Sequence, residues 1–467
     1  MASRSGTWGT EVQGTHGREG EAGHDVSLEG KTGETLSSQT VSTKLQWIAE
    51  QAVREPGRVF TTLAHLIDVE FLKEAYRRTR KDGAAEVDGV TAKEYAENLD
   101  ENLRDLHERL RSGRYEAPPV KRAWLEKDDG GERPIGMPVF EDKIAQRAVA
   151  MILGAVYEQD FESFSHGFRE GHSQHQALSE LREKCREIDV AWIVDADVAG
   201  FFDNLDHGLM LEIIKRRVND GGILRLIGKW LNAGVMEGTT LIHPEKGTPQ
   251  GGVISPILSN IFLHHVLDQW YVREVKPRLR GRSFLIRYAD DFMIGCERED
   301  DGKGVMVVLP KRFGRFELTI HPTKTALVRF RKPASKAEGD DGNGTFDFLG
   351  FTHFWAKSRR GYWVIKRKTA RKRLRRAVKS LWQWCRDHRH WKLPEQYQEL
   401  CQKLRGHYQY YGIRSNYKML EVVMEHVEKA WRYWLSRRSN ESSIPWDEFE
   451  RLRRLFPFPK PRIYHAI

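Results

Sequence analysis

RYADDFMIG, residues 287–295, sets two aspartates side by side between two apolar runs. FLIRY before them and FMIG after them read as the strands of a hairpin with the acidic pair at its turn. Two explanations stand at this level. Asp suits tight turns because its side chain bonds to its own backbone. Alternatively, Asp290 and Asp291 hold divalent cations, because adjacent carboxylates repel one another unless positive charge sits between them, and Mg²⁺ is a hard ion that takes oxygen ligands.

For a site that holds a pair of such ions, a third carboxylate should come from a strand beside the hairpin. AWIVDADV (191–198) reads as a buried strand running into a short helix at GFFD, so Asp197 ends an apolar strand, an odd place for an unpaired charge. Asp195 is expected to face the other way, and Asp203 to lie past the strand in the helix.

The chain has 467 residues, enough for two or three domains, with a net charge of +10. That charge is local. From 356 to 467, 28 Lys or Arg stand against 10 Asp or Glu, which leaves the first 355 residues net acidic. KRKTARKRLRRAVK (366–379) lacks the mixed signs of an ordinary solvated face, and surplus Lys and Arg favour a polyanionic partner through counterion release. Cys185, Cys296, Cys385 and Cys401 are isolated, which argues against a zinc site or disulfide framework. No apolar run approaches the roughly 18 residues of a membrane span, and the N-terminus has no apolar signal core, so a cytoplasmic protein without membrane contact is expected.

Residues 1–42, rich in Gly, Ser, Thr and Glu, are expected to be disordered. Helical spacing dominates 43–125, as in Phe71, Leu72, Ala75 and Tyr76. The block 126–355 mixes strands and helices. VKRAWLEKDDGGERPIGMP (120–138) reads as a hairpin with its turn at 128–131, and GTPQGGVISPILSNIFLHHVLDQW (247–270) as a Gly-rich loop before a helix with Ser255 at the N-cap and Pro256 first inside. TFDFLGFTHF (345–354) closes that block as strand. From 356 onward the sequence reads as a basic helical bundle, with Leu400, Leu404, Tyr408 and Tyr411 on one face and Leu420, Val423, Val427, Trp431 and Trp434 on another. The whole is an α+β body joined to a helical domain.

DVAGFFDNLDH, GTPQGGVISPILSNIFLH and RYADDF, in that order, resemble the palm motifs of reverse transcriptases, specifically those encoded by bacterial group II introns. VDGVT (87–91), ERPIGMPVFEDKIAQRAV (132–149), HGFREGHSQHQAL (166–178), HPTKT (321–325), FDFLGFTH (346–353) and LRGHYQYYG (404–412) extend the likeness from about Leu45 to the C-terminus. The resemblance implies a right-hand polymerase, with fingers and an antiparallel-sheet palm, followed by a helical thumb and maturase domain. It implies RNA-directed DNA synthesis from dNTPs on a primer 3′-hydroxyl, with two Mg²⁺ about 4 Å apart. Intron RNA, its RNA/DNA duplex and target DNA become the expected partners, and help with intron splicing a second role. No feature demands a dimer. Two alternatives stay open: a related enzyme recruited to phage defence or DNA repair, and a maturase that binds RNA without polymerising.

Residue by residue, the resemblance puts the metals on Asp197, Asp290 and Asp291. Phe202 takes the place of an aromatic gate that excludes a 2′-hydroxyl; packing is its alternative. Gln250 touches the incoming nucleotide, while Gly251 and Gly252 let the backbone approach it. Lys127 and Arg133 clamp the triphosphate, and Lys324 lies near the phosphates. Phe348, Leu349 and Gly350 form the turn that grips the primer. Lys366, Arg367, Lys368, Arg371, Lys372, Arg375 and Arg376 follow the duplex by its phosphates. The sequence departs from the family pattern at Glu86, Glu126, Glu170 and His172, positions that bear on template contacts and not on the carboxylates. FPFPKPRIYHAI (456–467) carries no His, Asn and paired-Cys cluster, so no endonuclease domain is expected, and 415–467 reach either target DNA or intron RNA alone.

Overall fold

The protein is described by a computed structural model over residues 29–467, apart from 83–86, 127–130, 238–239, 243–250, 334–342 and 439–442. Four helices come first: α1 (Glu29–Arg54), α2 (Val69–Arg78), α3 (Ala92–Glu97) and α4 (Leu99–Ser112). The hairpin β1 (Val120–Glu126) and β2 (Glu132–Met137) leads into α5 (Phe140–Tyr157) and α6 (Gln174–Glu187). Then follow β3 (Trp192–Ala196), β4 (Val198–Ala199), α7 (His207–Lys215), α8 (Gly221–Leu231), β5 (Val235–Glu237), β6 (Thr240–Ile242) and α9 (Ser255–Leu263), the last continued by π-helical turns at His264–Asp268 and Tyr271–Val275. The hairpin β7 (Ser283–Tyr288) and β8 (Asp291–Cys296) is followed by α10 (Glu299–Gly314), β9 (Thr319–Ile320), β10 (Ala326–Arg329), β11 (Phe346–Phe348), β12 (Phe351–Lys357) and β13 (Trp363–Thr369). The helices α11 (Arg371–Asp387), α12 (Leu393–Tyr411), α13 (Tyr417–Leu435) and α14 (Trp446–Leu455) complete the α+β fold.

The sheet that positions the site runs β10-β3-β8-β7, antiparallel throughout. Side chains alternate across it, as the period of a strand requires. Val194, Ala196, Leu285, Phe292, Ile294 and Cys296 join the larger core, with Val305, Leu309 and Phe313 of α10. Ile193, Phe284, Ile286 and Met293 face the other way, onto Ala177, Leu178, Leu181 and Cys185 of α6. A third core holds the C-terminal helices together around Trp431, whose indole donates to Gln396 Oε1 at 2.8 Å.

Several sequence expectations shift. Residues 29–42, expected to be disordered, already belong to α1. Ser255 is the first residue of α9 rather than its cap, which is Ile254. The C-terminal block is not helical from 356: β12 and β13 pair as a hairpin, and helix begins only at Arg371. From Val364 to Thr369 buried positions alternate with half-buried or exposed ones, a two-residue period that the run of basic residues conceals.

This hairpin buries His353 completely, stacked on Phe346 with centroids 4.8 Å apart and no hydrogen-bond partner at either ring nitrogen. Burial, and then the charge of Arg367, push its pKa down to about 3. The unfolded chain takes up a proton below about pH 6.5 that the folded ring refuses, so stability falls by about 1.4 kcal/mol per unit as pH drops through that window. His353→Phe keeps the stack and removes the penalty. Urea midpoints at pH 7 and pH 5 should show the variant losing less on acidification than the native chain.

Candidate active site

The register of the central sheet brings the acidic residues together. Asp195 lies opposite Met293 and Ala196 opposite Phe292. The pairing ends there, with Asp197 the next residue after β3 and Asp291 the first of β8, so the two acidic residues adjoin at the same end of the sheet. Tyr288 pairs with Asp291, so β7 and β8 close through a two-residue turn, Ala289-Asp290. Ala289 has φ +55°, the left-handed region that costs a residue with a Cβ about 1–3 kcal/mol. The expected hairpin is present, and its tip is strained.

Asp197 is wrapped by the HPTKT loop. His321 N donates to its carbonyl at 2.8 Å, its own N donates to Thr325 Oγ1 at 3.3 Å, and Lys324 Nζ stands 3.5 Å from its carboxylate. Asp195, expected to turn away, lies on the face of Ile193 and Met293, which is also the face of Asp291. Burial, reinforced by Asp291, Asp347 and Asp197, pushes its pKa up to about 7. Asp195 and Asp347 are thus members of the acidic group that motif reading passed over. The signal for Asp195 was present in the spacing Asp-x-Asp; nothing local distinguishes Asp347.

Among the described residues, no three His, Cys, Asp or Glu side chains close into a metal-binding group. Mg²⁺ does not need one, because it keeps several waters and binds through one or two carboxylates plus substrate phosphates. An all-oxygen donor set whose members repel one another suits such an ion.

A second turn adjoins the first. Phe348 pairs with Phe351, leaving Leu349 (φ +49°) and Gly350 (φ +80°) as a two-residue loop, the positive-φ pattern of a type I′ hairpin. Phe348 itself is buried. The Tyr410 hydroxyl of α12 donates to Leu349 O at 2.9 Å, and burial, helped by Tyr411, Tyr288 and Asp291 and opposed by Arg373, raises that phenol. Tyr410 therefore braces the loop from α12, a link that sequence reading missed.

Phe202 is half-buried beside Asp203, its ring edge-on to buried Phe201 at 5.2 Å. Gly251 has φ +115°, and a Cβ there would stand 2.7 Å from Gly136 O, so the Gly-rich segment leans on β2. Arg133 lies on β2 opposite Leu125. Lys127, Gln250 and Glu86 fall outside the described residues. Among the basic residues, Lys368, Arg371, Lys372, Arg375 and Arg376 are exposed and Lys366 is half-buried. Arg367 is a correction: it is 2 % exposed, its guanidinium donates to Leu178 O at 3.0 Å, and its side chain packs β13 against α6 instead of facing a partner. A groove of about 730 Å³ runs between α1, α5, the start of α9 and the loop at Phe168–Glu170, with Arg78 and Arg147 on its wall.

Residues 125–353 match the family described as reverse transcriptase (RNA-dependent DNA polymerase). The chain is 32 % identical over 281 residues to protein YkfC of Escherichia coli K12, covering 53 % of this chain and 73 % of that protein. The chain belongs to the group II intron reverse transcriptase family. It is 36 % identical over 245 residues to the group II intron-encoded protein LtrA of Lactococcus lactis, a match spanning 51 % of this chain and 40 % of LtrA. A shorter match, 30 % over 90 residues, joins it to nuclear intron maturase 1 of Arabidopsis thaliana, with 19 % of this chain and 12 % of that protein covered. No described helix of this reverse transcriptase is long and apolar enough to cross a membrane.

The tight second loop is open to a direct test. Gly350→Ala places a Cβ in a left-handed conformation, 3.0 Å from the Tyr411 hydroxyl. The substitution should cost about 1–2 kcal/mol, read as a lowered urea midpoint, whereas Gly361→Ala, with nothing within 4 Å of its Cβ, should show the φ penalty without the contact.

Proposed function

We propose that this chain is an RNA-directed DNA polymerase of a group II intron that also assists splicing of its intron RNA. The observation that carries the proposal is the register of β3 on β8, which sets the strand end at Asp197 beside the turn at Asp290 and Asp291. In this reading, the β1–β2 hairpin and neighbouring helices are fingers, the β10-β3-β8-β7 sheet is the palm, and α11–α14 are the thumb and maturase domain. The divisions at about 42, 125 and 355 follow those parts.

Asp197, Asp290 and Asp291 hold two Mg²⁺, which supply activation of the primer 3′-hydroxyl and stabilisation of the leaving pyrophosphate. Lys324, already on the Asp197 carboxylate, is placed to accompany phosphate oxygens. Lys127 and Arg133 clamp the triphosphate from the fingers, and Gln250 and Gly251 line the nucleotide. Phe202 blocks a 2′-hydroxyl. The loop at Leu349 and Gly350, backed by buried Phe348 and braced by Tyr410, holds the primer end. The exposed cations of α11, with Lys366 and Lys368, follow the A-form duplex by its phosphates without reading bases. Target DNA is a further partner of the same surface.

Asp290→Ala combined with Asp291→Ala should reduce cDNA synthesis on primed RNA to background while RNA retention on filters persists. A native chain that extends nothing with Mg²⁺ and dNTPs would leave a splicing-only maturase as the better reading. Phe202→Ala should relax discrimination against ribonucleotides by roughly 10- to 200-fold, the range of steric selection in a pocket. An unchanged sugar preference in competition assays would remove the gate.

A further inference from the structure

The turn that carries Asp290 is strained at Ala289, and strain persists only where its surroundings over-determine it. Those surroundings are specific. Arg287 is fully buried two residues before the turn. Its guanidinium donates to both oxygens of Asp268, at 2.8 and 2.5 Å, to Asn260 Oδ1 at 2.9 Å, and to the carbonyl of Ala289 itself at 3.1 Å. Asp268 is also fully buried, at the end of the π-helical turn that extends α9. Such turns insert a residue into a helix and recur at functional sites.

The turn is confined from its other side as well. Asn260 donates to Gly167 O at 2.6 Å. The chain at 164–167 runs beside β7, with Arg287 N donating to Phe164 O at 3.0 Å and His166 N to Arg287 O at 2.9 Å. A Cβ on Gly167 would stand 2.2 Å from the amide nitrogen of Ala289, so backbone meets backbone there. Gly167 is thus pressed against the turn, and Arg287 reaches it from the interior.

We infer that Arg287, Asp268, Asn260 and Gly167 form a positioning device that fixes the backbone of Ala289 and thereby aims the carboxylates of Asp290 and Asp291. The inference rests on the polymerase reading for its kinetic consequence, but not for its structural one. A planar fork reaches Asp268, Asn260 and the Ala289 carbonyl at once; a lysine ammonium, a point charge on a flexible stem, does not. All four residues are buried.

The test compares Arg287→Lys, Gly167→Ala and the double variant Arg287→Lys/Ala289→Gly in the full chain. Single-turnover dNTP addition to an RNA-templated primer should slow by about 10- to 100-fold in Arg287→Lys and in Gly167→Ala, the usual cost of losing an orienting partner. The dNTP concentration for half-maximal rate should hold within about threefold, because only aim changes. Glycine adopts positive φ without strain, so Ala289→Gly should restore most of the rate lost in Arg287→Lys. A role in stability alone would give no such rescue, and its absence in a folded double variant would overturn the inference. Wild-type rates in both single variants would do the same.

Amide hydrogen exchange across residues 288–292 reads the turn without reference to activity. It should quicken in Arg287→Lys and slow again in the double variant; unchanged exchange would overturn the inference. If the native chain extends no primer while exchange follows this pattern, the polymerase reading fails and the positioning device stands. Should Arg287→Lys not fold, Gly167→Ala decides by the same two readouts, since it alters no buried charge.

Discussion

The constraint on which the structure depends is the antiparallel pairing of β3 with β8. Each strand ends in acid, Asp197 on one and the Asp290-Asp291 turn on the other, and the two lie 93 residues apart between Asp197 and Asp290 in the chain. Moving that register by one residue would flip every side chain of β3 to the opposite face. Val194 and Ala196 would leave the core they share with Phe292 and Ile294, and Asp195 would enter it. Hydrophobic burial on both faces therefore fixes the acidic residues in place. The carboxyl of Asp195 is raised first by burial and then by its acidic neighbours, a cost carried by the packing behind them.

The acidic hairpin and the central strand were legible because their sequences are unambiguous. Apolar runs of four to six residues ending in adjacent aspartates leave little but a hairpin, and WIVDA reads as a strand buried on both faces. What was not legible depended on partners distant in sequence. Arg367 stands in a run of basic residues that looks like a solvated surface, yet alternate positions of β13 turn inward, and its guanidinium finds Leu178 O 189 residues away. Asp195 was expected to face away, yet residues two apart along a strand share a face, and its pairing with Met293 places it on the face of Asp291. Tyr410 belongs to a motif assigned to the helical domain, and only the fold brings it to the loop at Leu349.

The two hairpin tips share a physical solution. Each has two residues, each carries a non-glycine residue at positive φ, and each has a carbonyl held by a side chain, Ala289 by Arg287 of the hairpin's own strand and Leu349 by Tyr410 of α12. Tight turns give precise placement at the expense of backbone strain. The C-terminal helices connect to the second of these tips through Tyr410 of α12.

The most direct measurement is anomalous diffraction from Mn²⁺ in a crystal of this chain with an RNA template, a chain-terminated DNA primer and a dNTP. The account predicts two peaks about 4 Å apart, bridged by oxygens of Asp197 and of the Asp290-Asp291 turn. Metal bound elsewhere, or Asp197 directed away from both peaks, would contradict it.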